Sequence, residues 1–186
     1  MGLIFKHTSH AMHSQAKLYL RGVARIYGFK ENKTEFTECY GDPQPIILLL
    51  AISSELFLKF LLVENGKSYP HIHKIKELFD KLDEKTKNDV KLDFDLMLKC
   101  HKPHTDYLTK ITYKNKILET SNSNFIIDDS KIFETMLNQV DNSFTEWRYV
   151  FEKNNLEIDL LYFSIFAECL NRKADYVFEH KYPDFK

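Results

Sequence analysis

The chain contains few residues that break helices and few that form disulfides. Only five Gly and five Pro occur among its 186 residues, which disfavours a loop-rich β sandwich and favours helices. Its three cysteines, Cys39, Cys100 and Cys169, are widely spaced and form no CxxC motif. An odd number of isolated cysteines predicts reduced thiols in a cytoplasmic protein, packed as small buried hydrophobic side chains.

The chain also lacks an excess of charge and a clear membrane span. Its 26 basic and 27 acidic residues give a net charge of -1, so the chain as a whole does not attract polyanions. The N-terminal MGLIFKHTSH contains no apolar run long enough for a signal peptide. The one candidate span, residues 46–63, carries two charges that would each cost about 2.5–3.5 kcal/mol at the centre of a bilayer. A core helix of a protein with no membrane partner is therefore expected.

Hydrophobic residues recur at helical spacing along most of the chain. The predicted helices cover residues 9–28, 44–64, 71–82, 85–102 and 130–151, and a last one begins at about 158. Residues 103–129 fit a loop, a short hairpin or an insertion, and a loop or insertion in the helical bundle is expected. With 44% hydrophobic and 28% charged residues, the composition is that of a globular protein. The expected fold class is all-α, an antiparallel bundle of four to five main helices in one domain over residues 1–186.

The segment IILLLAISSELFLKFLLV is almost wholly apolar, yet it contains Glu55 and Lys59. Four residues apart on a helix, these two side chains lie on the same side and can pair. Either the pair reaches the rim of the fold, or it is buried and needs further partners. In the second case the pair needs further partners, because a buried charge is costly unless it is paired and hydrogen-bonded.

Candidate partners for this pair occur in two other places. His73 begins the next predicted helix, and Arg148, Tyr149 and Glu152 lie beside Trp147. A cluster of such side chains in a helical bundle is a candidate binding site. The expected ligand-binding residues are Glu55, Lys59, His73, Arg148, Tyr149 and Glu152. If the site is catalytic, His73 is the expected general base, and Arg148 or Lys59 is the group that stabilises phosphate charge.

Histidines also recur at His7, His10 and His13. No cysteine pair or acidic ligand completes the spacing of a zinc site. No metal or other cofactor is therefore expected, and these histidines are interpreted as surface or capping residues.

The residues around the charged pair resemble the HEPN superfamily of all-helical domains. Many bacterial members contain a Ser-x-Glu-Leu-x-Leu-Lys-x-Leu-Leu helix, a turn with Gly, and then His-x-Leu-x-x-Leu-Phe. The matching residues here are Ser53 or Ser54, Glu55, Leu56, Leu58, Lys59, Leu61 and Leu62, then His73, Ile75, Leu78 and Phe79. WRYVFE, residues 147–152, is similar to the Trp-Arg-Tyr-x-x-Glu stretch of the same subgroup.

The resemblance implies a bundle of four or five helices, often a homodimer. Many members act in defence or toxin–antitoxin systems, as metal-independent RNases or by binding RNA or nucleotides, so an antitoxin or nucleotidyltransferase partner is also implied. Active RNases of the superfamily carry Arg-x(4–6)-His, whereas the allowed positions after Arg148 are Lys153, Asn154 and Asn155. The expected function is therefore an RNA- or nucleotide-interacting domain without the standard RNase mechanism. Two alternatives stay open: a protein-interaction or dimerisation module with a structural polar cluster, and a divergent metal-independent RNase.

Overall fold

A computed structural model describes residues 2–26, 43–101, 108–114, 117–122, 129–153 and 155–185. The helices are α1 (Gly2–Ile26), α2 (Pro43–Glu64), α3 (Ile75–Asp80), α4 (Glu84–His101), α5 (Asp129–Val140), α6 (Ser143–Glu146) and α7 (Leu160–Lys181). The strands are β1 (Leu108–Lys114), β2 (Ile117–Asn122) and β3 (Leu156–Asp159), and 3₁₀ segments cover Trp147–Glu152 and Pro183–Phe185. The described part of the chain is mostly helical, as the sequence predicts.

α2 is the central helix because its sequence is apolar on nearly every side. Ile47, Leu50 and Phe57 are fully buried, and α1 and α7 pack along the helix. The helix is long and apolar enough to cross a membrane, since an 18-residue stretch of it has a mean hydropathy of 2.4. However, 72% of that stretch is buried within the fold. Such burial is typical of the core helix of a globular protein.

The helix directions follow the prediction for most neighbouring pairs. α1 runs antiparallel to α2, and α4 runs antiparallel to α7, where Asp89 pairs with Lys173 at 2.6 Å. α2 and α7 instead run in the same direction, since their C-terminal ends meet where the Tyr182 hydroxyl donates to Glu64 Oε1 at 3.1 Å. No short connection joins these two helices in the chain, so the antiparallel arrangement that a tight turn imposes does not apply to them.

The segment 103–129, whose structure the sequence leaves open, includes a β hairpin. β1 pairs antiparallel with β2 and with β3, which gives a sheet of order β2-β1-β3. The burial of side chains alternates along β1: Ile111 and Tyr113 are buried, whereas Lys114 is exposed. Such alternation is expected for a strand with one face on the core. The all-α prediction is thus incomplete. The hairpin alternative is confirmed, whereas β3 was not predicted at all.

The single helix predicted over residues 130–151 is broken at Asp141. Its carboxylate oxygen Oδ1 accepts from the Lys76 backbone N–H at 2.8 Å, and its carbonyl oxygen accepts from the Ile75 N–H at 3.1 Å. These bonds satisfy donors at the start of α3 that have no partner within that helix. A tertiary contact therefore overrides the regular spacing of apolar residues through this stretch.

Candidate functional site

Glu55 and Lys59 form a buried ion pair on α2. Lys59 Nζ lies 2.7 Å from Glu55 Oε1, and each residue is only 7% exposed. Of the two alternatives that the sequence leaves open, the structure shows the buried one. Because burial removes water from both charges, the stability of the pair depends on its further partners.

His73 is the second partner of Glu55. Its Nδ1 lies 3.0 Å from Glu55 Oε2 and 3.1 Å from Oε1. A carboxylate only accepts, so Nδ1 donates, and Nε2 of a neutral ring remains as an acceptor. The His73 side chain is 52% exposed, so it connects the buried pair to the surface. The prediction that His73 begins a helix is wrong, because it lies in the extended segment before α3, which starts at Ile75.

Tyr69 covers the ammonium group of Lys59. Lys59 Nζ lies 5.7 Å from the centroid of the Tyr69 ring, within the range of a cation–π contact. Tyr69 is half-buried and packs against the hydrophobic core. The ring therefore replaces part of the hydration that Lys59 loses. Sequence reasoning missed this residue, because an aromatic side chain beside Pro70 is equally consistent with ordinary core packing.

Phe144 connects His73 to Arg148. The ring centroids of His73 and Phe144 are 5.0 Å apart with an interplanar angle of 33°. Arg148 Cζ lies 6.0 Å from the Phe144 centroid and 5.2 Å from the Tyr149 centroid. Phe144 is half-buried, whereas Arg148 and Tyr149 are exposed. We call these four side chains, His73, Phe144, Arg148 and Tyr149, the aromatic row.

Glu152 does not join this group. It is exposed, and it makes no hydrogen bond or ion pair within the described part of the chain. The 3₁₀ segment that carries it is kinked at Tyr149, where φ is -120° and ψ is 39°. The one-turn spacing between Arg148 and Glu152 on a regular helix is therefore lost.

The structure thus unites most of the predicted site residues in two contacting groups. Lys59 and His73 each contact Glu55 directly. Arg148 reaches His73 through Phe144, and Tyr149 contacts Arg148. Phe144 falls within the helix predicted over residues 130–151 and was not among the predicted site residues. Among the described residues, no group of three or more His, Cys, Asp and Glu side chains is arranged to hold a metal ion.

A second polar cluster joins α1 to α7. His13 Nε2 lies 2.7 Å from Asp175 Oδ1, and Lys17 Nζ lies 2.7 Å from Asp175 Oδ2. His13 is only 6% exposed, and its ring stacks on Phe178 with centroids 4.5 Å apart. Burial lowers the pKa of His13, against the opposing effect of the Asp175 carboxylate. The interpretation of His13 as a surface or capping residue is therefore wrong.

A groove of about 330 Å³ lies between α4 and α7. Asp93 and Arg172 pair across it at 3.0 Å, and Cys169 lies among its lining residues. Burial first, and then the nearby Asp93 carboxylate, raise the pKa of the Cys169 thiol, which disfavours a nucleophilic role. The prediction of buried cysteines is confirmed for Cys169 and wrong for Cys100, which is exposed. Cys39 lies outside the described residues.

Comparison with known proteins adds nothing to this geometry. No protein-family model, curated protein or solved structure matches the chain. A functional conclusion must therefore come from the chemistry of the site itself.

Proposed function

We propose that this protein binds RNA or a nucleotide where the aromatic row meets the Glu55–Lys59 pair, without the standard RNase mechanism of the HEPN superfamily. The aromatic row is the observation that carries the proposal. An exposed arginine with aromatic neighbours can bind a phosphate and stack on a base. The bacterial defence or toxin–antitoxin setting, the homodimer, and an antitoxin or nucleotidyltransferase partner are parts of the proposal that rest on the resemblance alone.

Three side chains of the aromatic row contact the ligand in this proposal. Arg148 donates its N–H groups to phosphate oxygens. Tyr149, which is 46% exposed, offers a ring to a base. His73 Nε2 accepts a hydrogen bond from a ribose hydroxyl. Glu55 does not touch the ligand, since it is buried, and instead holds the orientation of the His73 ring.

Fluorescence anisotropy with a labelled single-stranded RNA of about a dozen nucleotides tests this proposal. We expect Arg148→Ala to weaken binding about tenfold, since it removes a charged phosphate contact. Tyr149→Ala should weaken binding by about fivefold or more, since stacking on one base contributes about 1–3 kcal/mol. Arg172→Ala is the matched control, because Arg172 is a side chain of α7 that pairs with Asp93 of α4.

Two results would overturn the proposal. One is the absence of RNA binding and of nucleotide binding by folded wild-type protein. The other is an equal loss of affinity in the Arg148 variant and the Arg172 control, because a uniform effect of surface charge would then explain the binding.

A divergent metal-independent RNase is the second candidate, and the contact between His73 and Glu55 favours it. With Nδ1 donating to the carboxylate, Nε2 can accept the proton of a ribose 2′-hydroxyl while that oxygen attacks the adjacent phosphorus. The bond from phosphorus to the 5′ oxygen then breaks, a 2′,3′-cyclic phosphate forms, and the departing oxygen takes a proton from water. Arg148 would stabilise the charge on the phosphate.

A denaturing gel of total and transfer RNA, with and without EDTA, separates this candidate from simple binding. A divergent RNase is expected to cleave in the presence of EDTA and to lose cleavage in both the His73→Ala and the Arg148→Ala variants. Binding without any cleavage by the wild-type protein would exclude it and leave the first proposal intact.

A further inference from the structure

α1 has an unusual charge balance. Its 25 residues include the cations Lys6, Lys17, Arg21 and Arg25 and not one Asp or Glu, although the whole chain has a net charge of -1. A helix that concentrates positive charge in a nearly neutral protein creates a local attraction for polyanions. The overall composition hides this asymmetry.

Two of these cations lie at the surface of the described structure. Arg21 and Arg25 are exposed, and neither forms an ion pair or a side-chain hydrogen bond within the described part of the chain. Lys17 differs, because Asp175 holds its ammonium group at 2.7 Å. Since Arg21 and Arg25 are four residues apart, their side chains lie on one face of the helix, one turn from each other.

α1 and the aromatic row flank the same end of α2. A Cβ atom placed on Gly22 of α1 would lie 3.4 Å from Leu49 Cδ1. Gln44 Nε2 of α2 donates to the Trp147 carbonyl oxygen at 2.8 Å. Gln44 and Leu49 are separated by about 7.5 Å along the helix axis. The contacts of α2 with α1 and with the 3₁₀ segment therefore lie near the same level of the central helix.

A strip of α2 separates the two sources of positive charge. Arg21 is next in sequence to Gly22, which lies at the contact of α2 with α1. Arg148 is next in sequence to Trp147, which lies at the contact of α2 with the 3₁₀ segment. At about 100° per residue, Leu48, Ile52 and Leu56 fall between the flanks of α2 that make these contacts, and all three are only half-buried. The Glu55–Lys59 pair falls in the same sector, but each of its residues is only 7% exposed. The surface thus combines a mainly apolar centre with arginines on both sides.

We infer that Arg21 and Arg25 form a second phosphate-contact surface, and that an RNA strand bound at the aromatic row continues across this strip of α2 onto α1. The inference rests on the proposed function and extends it from a single nucleotide site to a path for several nucleotides. A single strand suits such a surface, because its backbone can reach separated cations while its bases contact apolar and aromatic groups.

The test compares a long and a short ligand. A labelled RNA of about a dozen nucleotides is titrated by anisotropy at several salt concentrations against wild-type protein and the double variant Arg21→Gln/Arg25→Gln. A trinucleotide, which is too short to leave the aromatic row, is titrated in parallel by calorimetry. The control Lys85→Gln/Lys99→Gln removes the same charge from exposed positions on α4, a helix that packs mainly on α7.

The double variant should bind the long RNA about tenfold more weakly, and the slope of log affinity against log salt should fall by about 1.4, which corresponds to two phosphate contacts. Its affinity for the trinucleotide should be unchanged.

Equal affinity and slope in the double variant, or an equal loss in the α4 control, would overturn the inference while leaving the proposed function standing. Failure of wild-type protein to bind either RNA would overturn both. Competition by poly-glutamate as strong as that by RNA would identify an acidic polypeptide as the partner instead.

Discussion

At the scale of single residues, Glu55 and Lys59 in the middle of α2 differ in the partners that stabilise their buried charges. Glu55 has two hydrogen-bonded partners, Lys59 and His73. Within the described chain, Glu55 is the only residue that forms an ion pair with Lys59. The Tyr69 ring adds a weaker contact to Lys59. Removing either member of the pair leaves the other buried, but the consequences are unequal because the remaining partners are unequal.

The first prediction concerns this inequality. Glu55→Leu should reduce the free energy of unfolding by about 3 kcal/mol, since it leaves a buried ammonium group without a counter-charge. Lys59→Met should cost about 1–2 kcal/mol, because His73 still pairs with Glu55 and the new side chain fills a similar volume. Urea unfolding of both variants measures the difference. A loss from Lys59→Met as large as that from Glu55→Leu would contradict the asymmetric network.

The second prediction concerns pH and His13, whose pKa is lowered by burial and which faces Asp175, Lys17 and His10. Because the unfolded chain binds a proton at the usual histidine pKa and the folded chain does so only at lower pH, His13 should lower the free energy of unfolding as pH decreases below about 6.5. The loss ends below the folded-state pKa. Denaturant titrations between about pH 8 and pH 5 should show this fall in the wild-type protein.

His13→Phe is the control for that experiment, because it keeps a ring beside Phe178 and removes the titrating group. The other ionisable groups are the same in both proteins, so their effects cancel in the comparison. The pH dependence of the variant should be weaker than that of the wild type by the contribution of His13. Identical pH profiles would show that His13 gains its proton equally well in the folded state.

At this scale, the sequence identified only those site residues whose chemistry requires a partner. Glu55 and Lys59 could be singled out because charges within an apolar helix must find partners, and His73 was nearby in the chain. Phe144 and Tyr69 could not be singled out, since aromatic residues at core-like spacing give no sign that they face a cation. His13 was misread because its acidic partner, Asp175, lies on a helix at the other end of the chain.

At the scale of secondary-structure elements, α3 depends on a residue outside itself. It has only six residues, and the structure shows no side-chain cap from its own N-cap residue, Lys74. Asp141 provides the missing acceptors from the end of α5. Short helices are marginal without such contacts, so Asp141 also fixes the segment that carries His73.

The third prediction follows from this dependence. Asp141→Ala should reduce the free energy of unfolding by about 1 kcal/mol, the usual cost of losing a capping acceptor. It should also speed hydrogen exchange of the Leu78 and Phe79 amides in α3. Asn138→Ala is the matched control, because the contact of Asn138 among the described residues is with the exposed Lys76 ammonium group, at 2.7 Å, and not with a backbone N–H of α3. Equal effects of the two substitutions would show that Asp141 does not hold α3.

Long helices could be predicted and their interruptions could not. α2 and α4 match the predicted ranges closely, because their apolar spacing and the flanking Gly66 and Pro103 act locally. The break at Asp141 depends on α3 and the pairing of β1 with β3 depends on residues far apart in sequence. Such tertiary contacts override local periodicity and are invisible in it.

At the scale of the whole molecule, the contact between α4 and α7 ties the middle of the chain to its end. Cys169 of α7 is buried, and its Sγ lies 3.7 Å from Met97 Sδ of α4. Cys100, on the last turn of α4, is exposed. A reagent can therefore reach Cys100 in the folded protein, whereas it can reach Cys169 only after α4 and α7 separate.

The fourth prediction uses these thiols. Native protein treated with iodoacetamide should be modified rapidly at Cys100 and very slowly at Cys169, because Cys169 is shielded and its pKa is raised by burial. Denaturant should bring the two rates together, since alkylation of Cys169 then reports unfolding of the whole contact. Mass spectrometry of the digested protein measures each site. Equal rates in native protein would contradict the packing of α4 on α7.

The central claim is that RNA or a nucleotide binds at the aromatic row, and histidine-selective ¹⁵N NMR of the folded protein tests it most directly. His73→Gln identifies the His73 signal, and the buried His13 ring serves as the internal reference. We predict that adding single-stranded RNA or a mononucleotide shifts the His73 ring resonances while those of His13 stay unchanged. Binding that leaves the His73 resonances in place would contradict the account, because the ligand would then occupy another surface.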